Sequence, residues 1–207
     1  MIRTSIAVFT ATATLLAFAV VTHAEPALYT ADNWHTRIYF TVNHMGLSDY
    51  GGRFVEHDIR FMFDEENMEN SSIEVSVPVS GIDTFSPELT AKMPNPEFFD
   101  TANHPRIHFR STAIEQIDAT HARMTGDLAI KGVTLPITFD VTYNGKVMHP
   151  FYNLNNAGFS AVATLDNRAY GVNPLPDWML ASSVSVHIEM EAFEGDKVPY
   201  YSKDQAQ

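Results

Sequence analysis

The sequence predicts an all-β protein in which eight antiparallel strands close into a barrel around an apolar interior, with short helical segments between strands three and four. Three observations predict it. Apolar residues recur at every second position in eight separate stretches, no long amphipathic helix interrupts them, and Gly-containing turn signals fall between several of them. Side chains alternate across a strand, so a two-residue rhythm marks one apolar and one wet face. Strands with no intervening crossover helix pair mostly antiparallel. Eight of them close into a barrel just wide enough to be filled by side chains or to hold one small guest.

The first strand lies between Asn33 and Met45, where Thr36, Ile38, Phe40 and Val42 share one parity while Arg37, Thr41 and Asn43 take the other. Gly51 and Gly52 mark a turn, and Arg53 to Phe63 follows with Ile59, Phe61 and Phe63 in phase. Ser72 to Ser80 brings Ile73, Val75, Val77 and Val79 inward, with Pro78 on the opposite parity signalling an edge, a bulge or a break in the ladder. From Ser86 to Asp100 the alternation stops. Ser86 caps a short helix with Pro87 at its first position, Pro96 to Phe99 forms another turn, and this segment covers one end of the sheet.

Strands resume at Arg106 to Thr112, with Ile107, Phe109 and Ser111 on one face, and at Ala122 to Ile130, with Met124, Gly126, Leu128 and Ile130. Lys131-Gly132 breaks the chain before Ile137, Phe139, Val141 and Tyr143, and Asn144-Gly145 reads as a strong turn. Phe159, Ala161, Ala163 and Leu165 mark the seventh strand, and Val184, Val186, Ile188 and Met190 the eighth. The candidate interior is therefore Ile38, Phe40, Val42, Phe61, Phe63, Val75, Val77, Phe109, Gly126, Leu128, Phe139, Ala161, Ala163 and Val186. Any barrel needs such a core. The small residues Gly126, Ala161 and Ala163, however, leave room beside Phe40, Phe61 and Phe109 that suits a long, thin apolar guest.

At the N-terminus Arg3 precedes an apolar run from Ile6 to Val21, and Thr22-His23-Ala24 offers small residues for cleavage, which reads as a secretory signal peptide over residues 1–24. Residues 25–207 are then a single domain exported to the periplasm. No later run reaches the roughly 18 apolar residues that span a bilayer. Removing Arg3 takes the formal charge from −12 to −13, which argues against nucleic acid and against adhesion to anionic headgroups. Cysteine is absent, so packing and ladder hydrogen bonds carry the stability.

Several motifs then gain meaning from their order: Asp32-x-x-His35-Thr36-x-Ile38-x-Phe40-x-Val42-x-His44-x-Gly46, Gly52-x-Phe54, Pro96-x-Phe98-Phe99-Asp100, Pro105-x-Ile107-x-Phe109-x-Ser111 and Gly126-Asp127-Leu128-x-Ile130-x-Gly132-Val133-Thr134. From about Tyr29 to Ala192 the chain resembles the YceI-like family of lipid- and polyisoprenoid-binding periplasmic proteins. The resemblance implies an extended, lipocalin-like eight-stranded barrel whose elongated pocket takes the isoprenoid tail of a quinone or polyprenyl lipid, or a similar fatty amphiphile. Rim residues near His44, Phe98, Phe99 and Tyr170 would meet the head group. The chain departs from the family at Lys92-Met93, which stands where His-Leu is usual, and at Asn167-Arg168-Ala169-Tyr170-Gly171, which replaces Arg-x-Asp-Phe-Gly. A third departure is the connector Pro174-Leu175-Pro176-Asp177-Trp178.

Catalytic and metal readings find little support in the residues. Gly-x-Ser-x-Gly is missing, no thiol exists, and the nine histidines give neither HExxH nor a pair at ligand spacing on a helix. His35 and His44 bracket the first strand and lie roughly 30 Å apart at about 3.3 Å per residue, too far to share an ion. Asp32 and His35 read as a strand start that ties down neighbouring backbone, and Asp127 as an outward strand residue. No cofactor, metal or catalytic residue is assigned; the expected partner is the lipid. The alternative is a solid barrel that acts through its surface, as a homodimer or stress-associated interaction partner, without a ligand.

Overall fold

The computed structural model describes residues 25–199; the signal-peptide reading of residues 1–24 lies outside them. Eleven strands form one sheet: β1 (Ala27–Ala31), β2 (Arg37–His44), β3 (Ser48–Phe54), β4 (Asp58–Phe63), β5 (Ser72–Pro78), β6 (Ile82–Asp83), β7 (Arg106–Gln116), β8 (His121–Ile130), β9 (Val133–Met148), β10 (Asn155–Asp166) and β11 (Leu180–Glu194). Every pairing is antiparallel. The order β1-β4-β5-β7-β8-β9-β10-β11 closes on itself through β1 and β11, which makes an eight-stranded barrel as the periodicity predicts. β2, β3 and β6 continue from β11 as a side wall above β1.

The expected first strand is β2, and a strand the periodicity did not mark, β1, precedes it. β1 and β2 lie along the same edge of β11, with Tyr29 opposite Glu194 and Ile38 opposite Ile188. Between them the chain turns at Asp32, whose Oδ1 accepts the Trp34 N–H at 2.8 Å and whose carbonyl accepts the Thr36 N–H at 2.8 Å. The second expected strand, Arg53 to Phe63, divides between β3 and β4. β3 pairs with β2 and β4 with β1, and the corner between them is pinned where the Val55 N–H donates to the Gly81 carbonyl at 3.0 Å.

Two predicted turns are corrected. Gly51 and Gly52 sit inside β3, opposite Thr41 and Phe40. A Cβ on Gly51 would lie 2.0 Å from the Phe40 carbonyl oxygen and one on Gly52 2.7 Å from the Phe40 ring, so these glycines admit a close neighbour rather than reverse the chain. Asn144-Gly145 is a bulge within β9. Gly145 pairs with Gly158 and Tyr143 with Phe159, which leaves Asn144 without an opposite residue, and Gly145 takes φ +110°. The true reversal is the following loop, where the His149 N–H donates to the Leu154 carbonyl at 2.8 Å.

Other local readings hold. Lys131 and Gly132 both take positive φ, 49° and 76°, in the two-residue turn between Ile130 and Val133. Ser86 Oγ accepts the Leu89 N–H at 3.4 Å and starts helix α1 (Pro87–Thr90), with Pro87 in its first turn. Pro78 ends β5, where a missing donor costs the ladder nothing.

Candidate functional site

A cavity of about 190 Å³ runs inside the ring. Its wall is apolar, from Phe63, Met68 and Phe159 at the lower end, past Val75, Phe139, Ala161 and Ile188, to Ile130 and Leu165 at the upper end. Ala122 and Ile130 both belong to the wall and stand eight residues apart on β8, roughly 27 Å along the strand at about 3.4 Å per residue. Alternation on β8 through β11 builds it, since each long strand sends every second side chain to the lumen.

Aromatic rings close the lower end. Tyr29 stacks on Phe61 at 5.4 Å, Phe63 meets Phe159 edge-on at 5.0 Å, and Tyr143 lies 5.4 Å from Phe159. The Tyr143 hydroxyl leaves this cluster by donating to Glu65 Oε1 at 2.7 Å, while Lys146 holds the other carboxylate oxygen. These bonds hold the Glu65 carboxyl below its usual range, the one from Lys146 counting most, and raise Lys146 in return. Burial, then the carboxylate beside it, pushes the Tyr143 phenol up. At the upper end Phe99 sets its edge on Phe54 at 6.5 Å, and Tyr170 joins the cluster of Phe109, Leu128, Ile130, Ile137 and Phe139. The segment after β6 thus folds over that end, with His104 against Gly132.

Of the predicted interior residues, Ile38, Phe61, Phe63, Val75, Val77, Phe109, Leu128, Phe139, Ala161 and Val186 line the cavity. Phe40, Val42, Gly126 and Ala163 are not in its wall. Phe40 turns onto Gly52 and Phe54, and Val42 is buried between Val184 and Tyr50. Gly126 leaves no vacancy, because a Cβ there would meet the Phe109 ring at 2.5 Å; the ring already occupies the space. Ala163 packs into the upper cluster.

None of the four rim residues lines the cavity either. Tyr170 is a core residue at 3% exposure, Phe99 packs beneath it, Phe98 is half-buried, and His44 is exposed at the tip of β2. Sequence reasoning missed Met68, Ile114, Phe159 and Met190 among the wall residues. Phe159 and Met190 carried the right parity. Met68 sits on a 3-10 turn (Met68–Asn70), where no two-residue rhythm points to it.

Asp32, His35 and Glu191 bring ligand-type atoms within 4.8 Å of one another. The His35 Nδ1 to Asp32 Oδ2 separation of 2.5 Å is that of a hydrogen bond. Two donors about 2.0 Å from one tetrahedral zinc would stand roughly 3.3 Å apart. The cluster works as a brace: the Glu191 carbonyl accepts the Asp32 N–H at 2.8 Å and the Thr36 hydroxyl at 3.2 Å, which fastens the β1–β2 turn to β11. Asp127 is exposed opposite Arg110. The displaced Arg168 braces the departing connector, donating to the Leu180 carbonyl at 3.0 Å and pairing with Asp177.

The family model of the YceI-like domain matches residues 29–192. A UPF0312 protein of Pseudomonas savastanoi pv. phaseolicola is 33% identical over 138 residues, 67% of this chain and 71% of its own length. Another, from Pseudomonas fluorescens, is 31% identical over 158 residues, 76% of this chain and 80% of its own. Among solved structures, BcnA of Burkholderia cenocepacia superposes with a TM-score of 0.71 at 18% identity, covering 78% of this chain and 98% of its own. A polyisoprenoid binding domain from Saccharophagus degradans, implicated in plant cell wall breakdown, gives 0.60 at 10% identity over 81% of this chain and 98% of its own. Barrel, motif order and sequence relatives agree: the chain belongs to the YceI-like family.

Proposed function

We propose that the protein is a periplasmic carrier that holds the isoprenoid or fatty tail of an amphiphile in its lumen. The observation that carries this reading is the long apolar cavity of about 190 Å³, which its own side chains leave empty. Burying a methylene is worth about 0.8 kcal/mol. Ten such groups give roughly 8 kcal/mol before association costs, the scale of a micromolar complex. Recognition of this kind needs room and no metal, cofactor or covalent bond. The structural likeness to a polyisoprenoid binding domain supports the isoprenoid in particular, and Arg3 followed by the apolar run to Val21 supports export.

The test is native mass spectrometry of protein purified from its own periplasm, followed by organic extraction. A stoichiometric lipid that leaves with the solvent is the expected result. Protein that carries none, and takes up none when incubated with farnesol or ubiquinone, overturns the proposal.

A further inference from the structure

The barrel wall has a seam. The ladder between β5 and β7 ends at Glu74 and Arg110, and below that pair β7 continues to Gln116 with β8 as its partner. β7 is displaced there by a bulge between Ser111 and Ala113. Two side chains bridge the gap among the described residues. Ser111 Oγ accepts the Ile73 N–H at 3.0 Å, and Gln116 Oε1 accepts the Met68 N–H at 2.9 Å. Between these two bonds no backbone ladder joins the strands. A second interruption lies between β9 and β10, whose ladder stops at Asp140 and Val162 while both strands run on.

The cavity reaches this seam from inside. Its wall includes Ser71, Ser72 and Ile73 on one side and Ile114 on the other. A shallower depression lies against the same place from outside, and its lining mixes inward Phe61, Ile73 and Ser111 with outward Arg60, Glu74 and Arg110. Residues of both parities line a single depression where a wall is interrupted. Both ends of the lumen, by contrast, are covered by rings.

The geometry points to a lateral portal: an amphiphile's tail enters between β5 and β7, and its head group stays outside beside Arg60 and Arg110. This inference rests on the carrier reading and places its entrance. Opening the seam breaks two side-chain bonds and no ladder. Outside it, Arg110 reaches Glu74 only at 3.6 Å with 77% of its side chain exposed, so its guanidinium is available to an arriving oxygen. The row across β4, β5, β7 and β8 reads Arg60, Glu74, Arg110, Asp127. Its two guanidiniums favour a head group rich in acceptor oxygens, a phosphate or a quinone carbonyl alike.

Because the chain lacks cysteine, single thiols report position cleanly. Ser72→Cys stands at the seam and His44→Cys at the opposite, upper end. The probe is a farnesyl chain bearing a maleimide at its head-group end, with N-ethylmaleimide as the reference for intrinsic reactivity. The seam predicts that Ser72→Cys is labelled at least tenfold faster than His44→Cys after that correction. It also predicts that Arg60→Gln with Arg110→Gln weakens farnesyl phosphate binding at least fivefold while farnesol binding is unchanged. Equal labelling, or faster labelling of His44→Cys, in protein that still binds farnesol overturns the portal and leaves the carrier standing. Unchanged farnesyl phosphate affinity overturns the head-group placement, and no farnesol binding at all overturns portal and carrier together.

Discussion

Gly126 and Ala161 are both small residues on the inward face of long strands, yet only Ala161 borders empty space. At Gly126 the neighbouring strand fills the gap: the Phe109 ring lies across the glycine, and the Arg110 carbonyl stands 2.4 Å from where a Cβ would be. Ala161, by contrast, stands in the wall of the lumen. A small side chain therefore creates room only if its neighbours' rotamers decline to use it. One inward step along β10, Ala163 packs against the same upper cluster as Ala161, but only Ala161 also borders the cavity.

The largest effect expected from this contrast is that of Gly126→Leu. Overpacking typically costs about 1–3 kcal/mol when neighbours adjust. Here one neighbour is backbone and cannot swing away, so a loss of about 3 kcal/mol or more is expected in urea unfolding, or no folded protein at all. A variant as stable as the parent would show that Phe109 moves freely and that the two sites do not differ.

Ala161→Trp and Ala163→Trp then separate the sites by function. The indole of Ala161→Trp enters open space and takes much of the cavity, so farnesol retention in native mass spectrometry falls at least tenfold while urea stability changes by less than about 1 kcal/mol. Ala163→Trp crowds a filled region and costs about 1–3 kcal/mol. Equal destabilisation by both substitutions would mean that the cavity at Ala161 does not accept a ring.

The strands were legible because burial on one face leaves a two-residue signature that survives any detail of packing. Val184, Val186, Ile188 and Met190 announce β11 without help from its neighbours. Gly51-Gly52 and Asn144-Gly145 were not, since a glycine that reverses the chain and one that lets a neighbour approach or bulges a strand look alike in one dimension. The seam was invisible for a different reason. It depends on where the β5–β7 ladder stops, and register between strands about 30 residues apart has no local mark. Tyr170 was expected at the rim from the family resemblance, and no local pattern marks it as core, whereas the fold buries it at 3% exposure.

The corner between β3 and β4 extends the contrast to a titrating group. His57 is buried there at 3% exposure, and burial is the main cause that depresses its imidazole below the ordinary 6.5, with Asp58, Arg37 and Asp32 as charged neighbours. The unfolded chain takes up a proton below pH 6.5 and the folded chain resists it. Stability is then complete above that pH and falls as acid is added, by at most about 1.4 kcal/mol per pH unit. In His57→Met, urea midpoints measured from pH 7 to 5 should lose this part of the acid slope. An unchanged slope would assign it to other groups.

The smallest effect belongs to the lower end of the open lumen, where Glu65 joins Tyr143 to Lys146. Glu65→Gln removes a carboxylate whose folded pKa is held low, so its stabilisation is present above the ordinary carboxylate range and lost as pH falls through the folded value. The group is 44% exposed, and solvent screening limits the cost to a few tenths of a kcal/mol. A clearer readout is the phenol. Burial raises Tyr143 most and the carboxylate second, so in Glu65→Gln the alkaline ultraviolet titration of Tyr143 should move down without reaching the ordinary 10.0. A titration that does not move would mean that the ring cluster alone sets the phenol. Glu65 would then not anchor the closed end of the lumen, and that end would be as free to open as the seam.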